Sequence, residues 1–187
     1  GPGDERTRET LETAPSTPLV FLRGHPLCGH SSQRSRCVAA KAAAFRDHLG
    51  PRARLDLAYG PAPRNRFDLF LPQSNPHGLM VFIHGGYWLE TDKNLWSHLA
   101  AGAIARGWAC ALPGYTLAPT ARIAQITAEV DAAITTACVE VQGPLVITGH
   151  SAGGHLAARM ANPDRSTAPK SRLNRIVPDT CLQFWGG

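Results

Sequence analysis

Two short stretches hold residue types whose order suits nucleophilic attack on a carbonyl carbon. The first is Thr148-Gly149-His150-Ser151-Ala152-Gly153-Gly154, which contains the pattern G-x-S-x-G. A serine hydroxyl attacks well only when a base takes its proton and nearby donors receive the charge that builds on the carbonyl oxygen. In this pattern the serine occupies a sharp, strained turn between a strand and a helix, which lifts its oxygen above the sheet. Glycines at 149 and 153 leave room for such a turn. The helix behind Ser151 aims amide groups and its positive dipole end at developing negative charge. The bare five-residue pattern recurs by chance. Here it follows an apolar run, Leu145 to Thr148, and opens a helical stretch, Ala152 to Met160, and that context favours a functional serine.

The second stretch is His84-Gly85-Gly86-Tyr87-Trp88, directly after the apolar run Leu79 to Ile83. Two glycines let backbone amides approach a substrate oxygen without obstruction. The amides of Gly86, Tyr87 and Ala152 can together receive an oxyanion. The alternative is an ordinary glycine turn between a strand and a helix. Two such motifs at successive strand ends count against it.

The surrounding pattern must position these motifs. An Ala-rich stretch from Gln33 to Leu49 predicts a helix with Val38, Phe45 and Leu49 on one face, stopped at Gly50-Pro51. Leu55, Leu57 and Tyr59 alternate with other residues, as do Phe67, Leu69 and Leu71. With turn material at Gly60-Pro61-Ala62-Pro63 between them, they predict an antiparallel strand pair. Leu79 to Ile83, Trp108 to Leu112 and Leu145 to Thr148 read as strands covered on both faces. Asp92 is expected to cap a helix carrying Leu95, Leu99 and Ala103, closed by Gly107. Thr120 is expected to cap another, with Ile123, Ile126, Val130, Ile134 and Ala137 at spacings of three and four. Alternating strands and helices predict a parallel sheet, whose sites form at the carboxyl ends of strands.

Composition limits the function. The chain has 187 residues, 43% hydrophobic and 18% charged, enough for one packed domain, with no run long enough to span a bilayer. The net charge of +5 comes from the flanks, before residue 57 and after residue 158. Those flanks lack the interleaved aromatics that single-strand binders need, so a solvated basic surface is expected and no nucleic-acid partner. Five cysteines (Cys28, Cys37, Cys110, Cys138, Cys181) without a C-x-x-C point to free thiols in a reducing compartment, hence a cytoplasmic chain. His25, Cys28, His30 and Cys37 match no closed zinc module, and no metal is expected.

His84 to Trp88, Tyr115-Thr116-Leu117-Ala118-Pro119, and Gly149 to Leu156 together resemble the arylformamidase (kynurenine formamidase) branch of the α/β hydrolases. The likeness takes in Leu57-Ala58-Tyr59-Gly60 and Asp68-Leu69-Phe70-Leu71-Pro72, and so runs from about residue 53 to 161. Gly114 departs from the acidic residue usual before that tyrosine. The resemblance implies an α/β-hydrolase fold present in part: N-terminal and central strands plus the serine turn, with later strands absent. Residues 1–52 then form a flexible N-terminal region with one helix, and 53–187 the partial domain. It implies Ser151 as nucleophile, and His84, Gly85, Gly86, Tyr87 and Trp88 with Ala152 as the oxyanion and substrate-binding set. No cofactor is implied. The substrate class is a small carboxylic ester or an aryl formamide such as N-formyl-kynurenine, a step of tryptophan breakdown. Tyr87 and Trp88 suit an aromatic substrate or serve as packing residues.

In such hydrolases an acid and then a histidine follow the serine on later strand-end loops. After Ser151 the sequence holds Asp164, Asp179 and one histidine, His155, expected to pack behind the turn. Asp164 follows the turn too closely for the acid, and Asp179 follows Ile176-Val177-Pro178, which is at most the next strand. The chain is therefore expected to stop short of both partners. A catalytically weak or inactive fragment is the competing expectation, with an exposed sheet edge that promotes self-association.

Overall fold

The computed structural model of the chain describes residues 31–160 and the strand at 173–177. The character expected of residues 1–30, the His25, Cys28 and His30 of the zinc alternative, and Asp164, Asp179 and Cys181 lie outside the described residues. Helix α1 (Ser31–Leu49) leads into β1 (Ala53–Ala58) and β2 (Arg66–Phe70). Then come β3 (Leu79–Ile83), the short α2 (Ala101–Ala105), β4 (Ala109–Pro113) and α3 (Ile123–Glu140). The order closes with β5 (Leu145–Gly149), α4 (Ala152–Met160) and β6 (Leu173–Val177).

The six strands make one mixed sheet in the order β1-β2-β4-β3-β5-β6. β1 and β2 pair antiparallel, as the alternation implied, and β2 joins β4 antiparallel. β4, β3, β5 and β6 run parallel, so the loops after β3, β4 and β5 open on one side of the sheet. That common rim is where an α/β fold builds its sites.

The continuous apolar runs divide their side chains between two faces, as the pleat requires. Leu79, Val81 and Ile83 of β3 join one core with Ile126, Val130 and Ile134 of α3 and Leu156 of α4. Met80 and Phe82 join the opposite core with Phe70, Leu112 and Leu49 of α1. There the ring of Phe45 meets Phe70 edge to face at 5.5 Å. Both faces are covered, which explains the unbroken hydrophobicity of β3, β4 and β5. Among the described residues no helix is long and apolar enough to cross a membrane.

Two helix starts differ from expectation. Asp92 does cap, accepting the Asn94 amide at 3.1 Å, but the segment to Gly107 is two 3-10 turns followed by the short α2. Arg46 of α1 donates to the Asn94 carbonyl at 2.6 Å and to Ser97 Oγ at 2.9 Å. A carbonyl that a continuous helix would use is thereby engaged from outside. Leu99, expected inside, is exposed. Thr120 is not a cap either: it lies within a turn closed by the Ala121 amide on the Leu117 carbonyl, and α3 begins after Arg122 with no side-chain cap.

Candidate active site

Ser151 stands at the junction of β5 and α4 with φ of 52°, in the left-handed region that a side chain adopts only where the surroundings enforce it. Three contacts enforce it. The His150 amide donates to the Ile83 carbonyl at 3.0 Å, which ties the turn to the end of β3. The Gly153 amide donates to the His150 carbonyl at 2.8 Å, and the His155 amide to the Ser151 carbonyl at 3.2 Å, which closes the first turn of α4. Ser151 is exposed, whereas Ala152, Gly153 and Gly154 behind it are buried.

The loop after β3 lies directly against this turn. A methyl group on Gly85 would come within 2.6 Å of the His150 carbonyl oxygen and 3.2 Å of Ser151 Cβ. The two glycine motifs, 66 residues apart in sequence by the difference between 151 and 85, are thus brought into contact. Gly86 has φ of 110°, and Tyr87, Trp88 and Thr91 have φ of 51°, 61° and 71°. Three non-glycine residues in the left-handed region within five positions mark a loop held in a costly shape, roughly 1–3 kcal/mol at each. The Gly86 carbonyl accepts from the Leu89 and Glu90 amides, both at 2.9 Å. Among the described residues the Gly86 and Tyr87 amides donate to no group.

Tyr87 is 77% exposed, while Trp88 is half-buried and rests on the core. The indole of Trp88 meets the ring of His155 edge-on at 5.6 Å. His155 is exposed rather than packed behind the turn, because α4 turns that face toward the 84–88 loop. His84 lies beneath its loop rather than on it. Its ring is 1% exposed and stacks on Tyr115 with centroids 4.3 Å apart.

The hydrogen bonds around His84 fix its tautomer. Tyr115 donates its hydroxyl proton to the His84 carbonyl at 2.8 Å, and Thr91 donates its own to the Gly85 carbonyl at 2.8 Å. Nδ1 therefore faces only acceptors: the Gly85 carbonyl at 2.8 Å, Thr91 Oγ1 at 3.1 Å and the Tyr115 oxygen at 3.3 Å. It must carry the proton. Among the described residues Nε2 is buried without a partner, so a second proton there would be unsolvated. Burial accordingly lowers the His84 pKa to about 4, against smaller upward pulls from the Gly85 carbonyl and Asp92; Arg64 and Lys93 push it down further.

The sign of the resulting pH dependence follows. An unfolded histidine titrates near 6.5 and the folded one near 4, so between those values only the unfolded chain gains the proton. Stability conferred by the neutral ring is full above that window and is lost as pH falls through it. Between about pH 7 and about pH 5 the loss is roughly 2 kcal/mol. Urea unfolding of the wild type and of His84→Asn at the two pH values should show this extra slope in the wild type alone. Equal slopes would remove the assignment.

Four residues at the site carried no expected role. Arg64, in the β1–β2 connection, donates to the Tyr115 carbonyl at 2.7 Å and the Thr91 carbonyl at 2.8 Å, and pairs with Asp92 at 3.2 Å. Lys93 is 3% exposed and bonds Asp68 and Asp56, each at 2.7 Å. Thr91 and Asp68 complete the set. At Gly114, where an acidic residue was expected, a side chain would press on the Arg64 carbonyl at 2.9 Å, and the Gly114 carbonyl accepts from Tyr59 at 2.6 Å. Among the described residues no group of three or more His, Cys, Asp or Glu is placed to hold a metal ion.

Comparison with known proteins gives a consistent relationship. The kynurenine formamidase of Danio rerio is 28% identical over 135 residues, covering 70% of this chain and 46% of that protein. An isoprenylcysteine alpha-carbonyl methylesterase of Arabidopsis thaliana is 31% identical over 124 residues, covering 62% of this chain and 29% of that protein. The crystal structure of a candidate thioesterase from Silicibacter sp. TM1040 superposes with a TM-score of 0.76 at 48% identity, covering 80% of this chain and 58% of that one. The chain spans less than half the length of these curated relatives. The BD-FAE family profile matches residues 67–177, from β2 to β6 and through both glycine motifs. Because that match takes in more than half of the sequence and every strand flanking the site, the chain belongs to the BD-FAE family, within the α/β hydrolases.

Proposed function

We propose that the chain carries the nucleophile and oxyanion donors of a serine hydrolase that cleaves small carboxylic esters or aryl formamides through an acyl-enzyme on Ser151. The observation that carries this reading is the contact of the Gly85–Tyr87 loop with a serine held at positive φ. Ser151 Oγ bonds to the substrate carbonyl carbon as a histidine takes its proton. The carbonyl oxygen, now negative, is received by the amides of Gly86, Tyr87 and Ala152. The C–O or C–N bond then breaks, and the alcohol or amine leaves with the histidine's proton. Water repeats the sequence on the acyl group, releasing a carboxylate, or formate from a formamide.

No described residue near Ser151 is assigned as the base or as the acid that orients it. The names of the curated relatives, a formamidase and a methylesterase, support the substrate class. The exposed ring of Tyr87 and the edge of Trp88 suit an aromatic substituent. The reading takes no metal or organic cofactor and no nucleic acid, and sets the reaction in the cytoplasm.

A second reading, a weak or inactive fragment, is favoured by one observation. His155, the only histidine after Ser151 in this sequence, sits on the same helix and is engaged with Trp88. One experiment separates the two. Under the first reading a fluorophosphonate probe forms one adduct on the native chain, seen by intact mass and absent from Ser151→Ala. No adduct on the native chain, with no hydrolysis of aryl formamide or nitrophenyl acetate above the Ser151→Ala background, favours the fragment.

A further inference from the structure

The amides of Gly86 and Tyr87, which donate to no group among the described residues, have directions set by groups on the other side of their peptide planes. A trans peptide places the carbonyl of one residue opposite the amide of the next, in one rigid plane. Fixing the Gly85 carbonyl therefore fixes the Gly86 amide. That carbonyl accepts two hydrogen bonds, from Thr91 Oγ1 and from His84 Nδ1, both at 2.8 Å, which fills both of its lone pairs. The Gly86 carbonyl, bound by the Leu89 and Glu90 amides, fixes the Tyr87 amide in the same way.

Thr91 could not hold this post by its own preference. It is β-branched and has φ of 71°, where such a side chain is strained. Arg64 supplies the restraint: its guanidinium grips the Thr91 carbonyl at 2.8 Å, the Asp92 carboxylate at 3.2 Å and the Tyr115 carbonyl at 2.7 Å. Tyr115 in turn bonds the His84 carbonyl at 2.8 Å. Two loops, after β3 and after β4, are thus clamped by one side chain from the β1–β2 connection.

We infer that Thr91 and Arg64 are positioning residues, which set the Gly86 amide toward the carbonyl oxygen of a substrate on Ser151. The inference deepens the hydrolase reading and rests on it. Thr91 touches no reacting atom; it acts through the Gly85 peptide. Its contribution is geometric, and a misplaced donor should lower turnover more than substrate binding.

The test contrasts shape with hydrogen bonding. Thr91→Val keeps the branched shape and the strained backbone but removes the donor, whereas Thr91→Ser keeps the donor. For an aryl formamide or nitrophenyl ester, kcat should fall ~10- to 100-fold in Thr91→Val with KM changed less than ~3-fold, and Thr91→Ser should restore kcat to within ~3-fold. Arg64→Lys, which cannot span three acceptors, should fall with Thr91→Val. Thermal unfolding confirms that each variant is folded. The 15N–1H resonances of Gly86 and Tyr87 should move in Thr91→Val and not in Thr91→Ser, with or without turnover. Wild-type kcat in Thr91→Val, or equal loss in Thr91→Ser, overturns the positioning role. Absence of Ser151-dependent hydrolysis in the wild type overturns the hydrolase reading instead, and the amide resonances then decide the positioning claim alone.

Discussion

Replacing Gly153 with alanine should destabilise the chain by about 3 kcal/mol or more and abolish labelling of Ser151, although the substitution favours helix. Gly153 lies in the first turn of α4, where alanine is better than glycine by about 1 kcal/mol on helical propensity. Sterics act the other way and win. A methyl group there would overlap the Ile83 carbonyl oxygen and come within 2.6 Å of the His84 carbonyl oxygen. These are backbone atoms, with no rotamer that moves them aside. A methyl on Gly149 would likewise overlap the Gly153 carbonyl and lie 2.8 Å from the Gly154 nitrogen.

The ends of β3 and β5 and the start of α4 are therefore packed backbone against backbone. Relief of the clash requires α4 to withdraw from the end of β3. That movement breaks the bond from His150 to Ile83 and separates Ser151 from the glycine loop. For a chain of this size the expected loss corresponds to a fall in Tm of about 6–12 °C. Gly50→Ala is the control, since Gly50 has the positive φ that Gly153 lacks and no atom within 4 Å of an added methyl. Its cost should be only the left-handed penalty of about 1–2 kcal/mol. Gly153→Ala with wild-type stability in urea would sink this account of the turn.

The serine turn and glycine loop were legible because their requirements are local. Each needs missing side chains at fixed offsets from a strand end, and the sequence displays both. The burial of β3 and β5 on both faces and the inward face of α3 were legible for the same reason, since an unbroken apolar run and a spacing of three and four each mark burial locally. Nonlocal pairings were not. Asp68 alternates with Phe67 and Leu69 and would read as a solvent position, yet it is fully buried, because α1 and the segment after Asp92 cover that side of β2. Lys93, in the charged run Glu90 to Asn94, looks like a surface residue and is not. Arg64 and Thr91 carry no motif, and their role exists only once β1–β2 lies beside the loops after β3 and β4. The broken helix after Asp92 has the same origin, in a side chain from α1 more than forty residues earlier.

The largest electrostatic effect should come from Lys93→Met. Lys93 and Asp68 are 3% and 0% exposed, and they form a charge pair at 2.7 Å in a site where neither is well solvated. The ammonium also binds Asp56 at 2.7 Å and the Asn94 side chain at 3.1 Å, while Asp68 accepts the Asp56 amide at 2.9 Å. Asp56 is exposed and can turn to water; Asp68 cannot. Removing the lysine leaves a buried carboxylate with one backbone donor, and such a loss costs about 3–5 kcal/mol. Replacing both partners, as in Lys93→Met with Asp68→Asn, removes the uncompensated charge and keeps an acceptor for the Asp56 amide. The double variant should recover most of the loss, and a double-mutant cycle measures the difference. The pH sign is opposite to that of His84. Burial raises the Asp68 pKa even in the native chain, with Lys93 opposing the rise, so removing Lys93 raises it further. The deficit of Lys93→Met is therefore greatest where the carboxyl must be charged, at neutral and alkaline pH. It shrinks as pH falls and Asp68 takes up a proton. A deficit that is constant with pH, or a double variant as unstable as the single, would show that Lys93 acts by filling space rather than by neutralising Asp68.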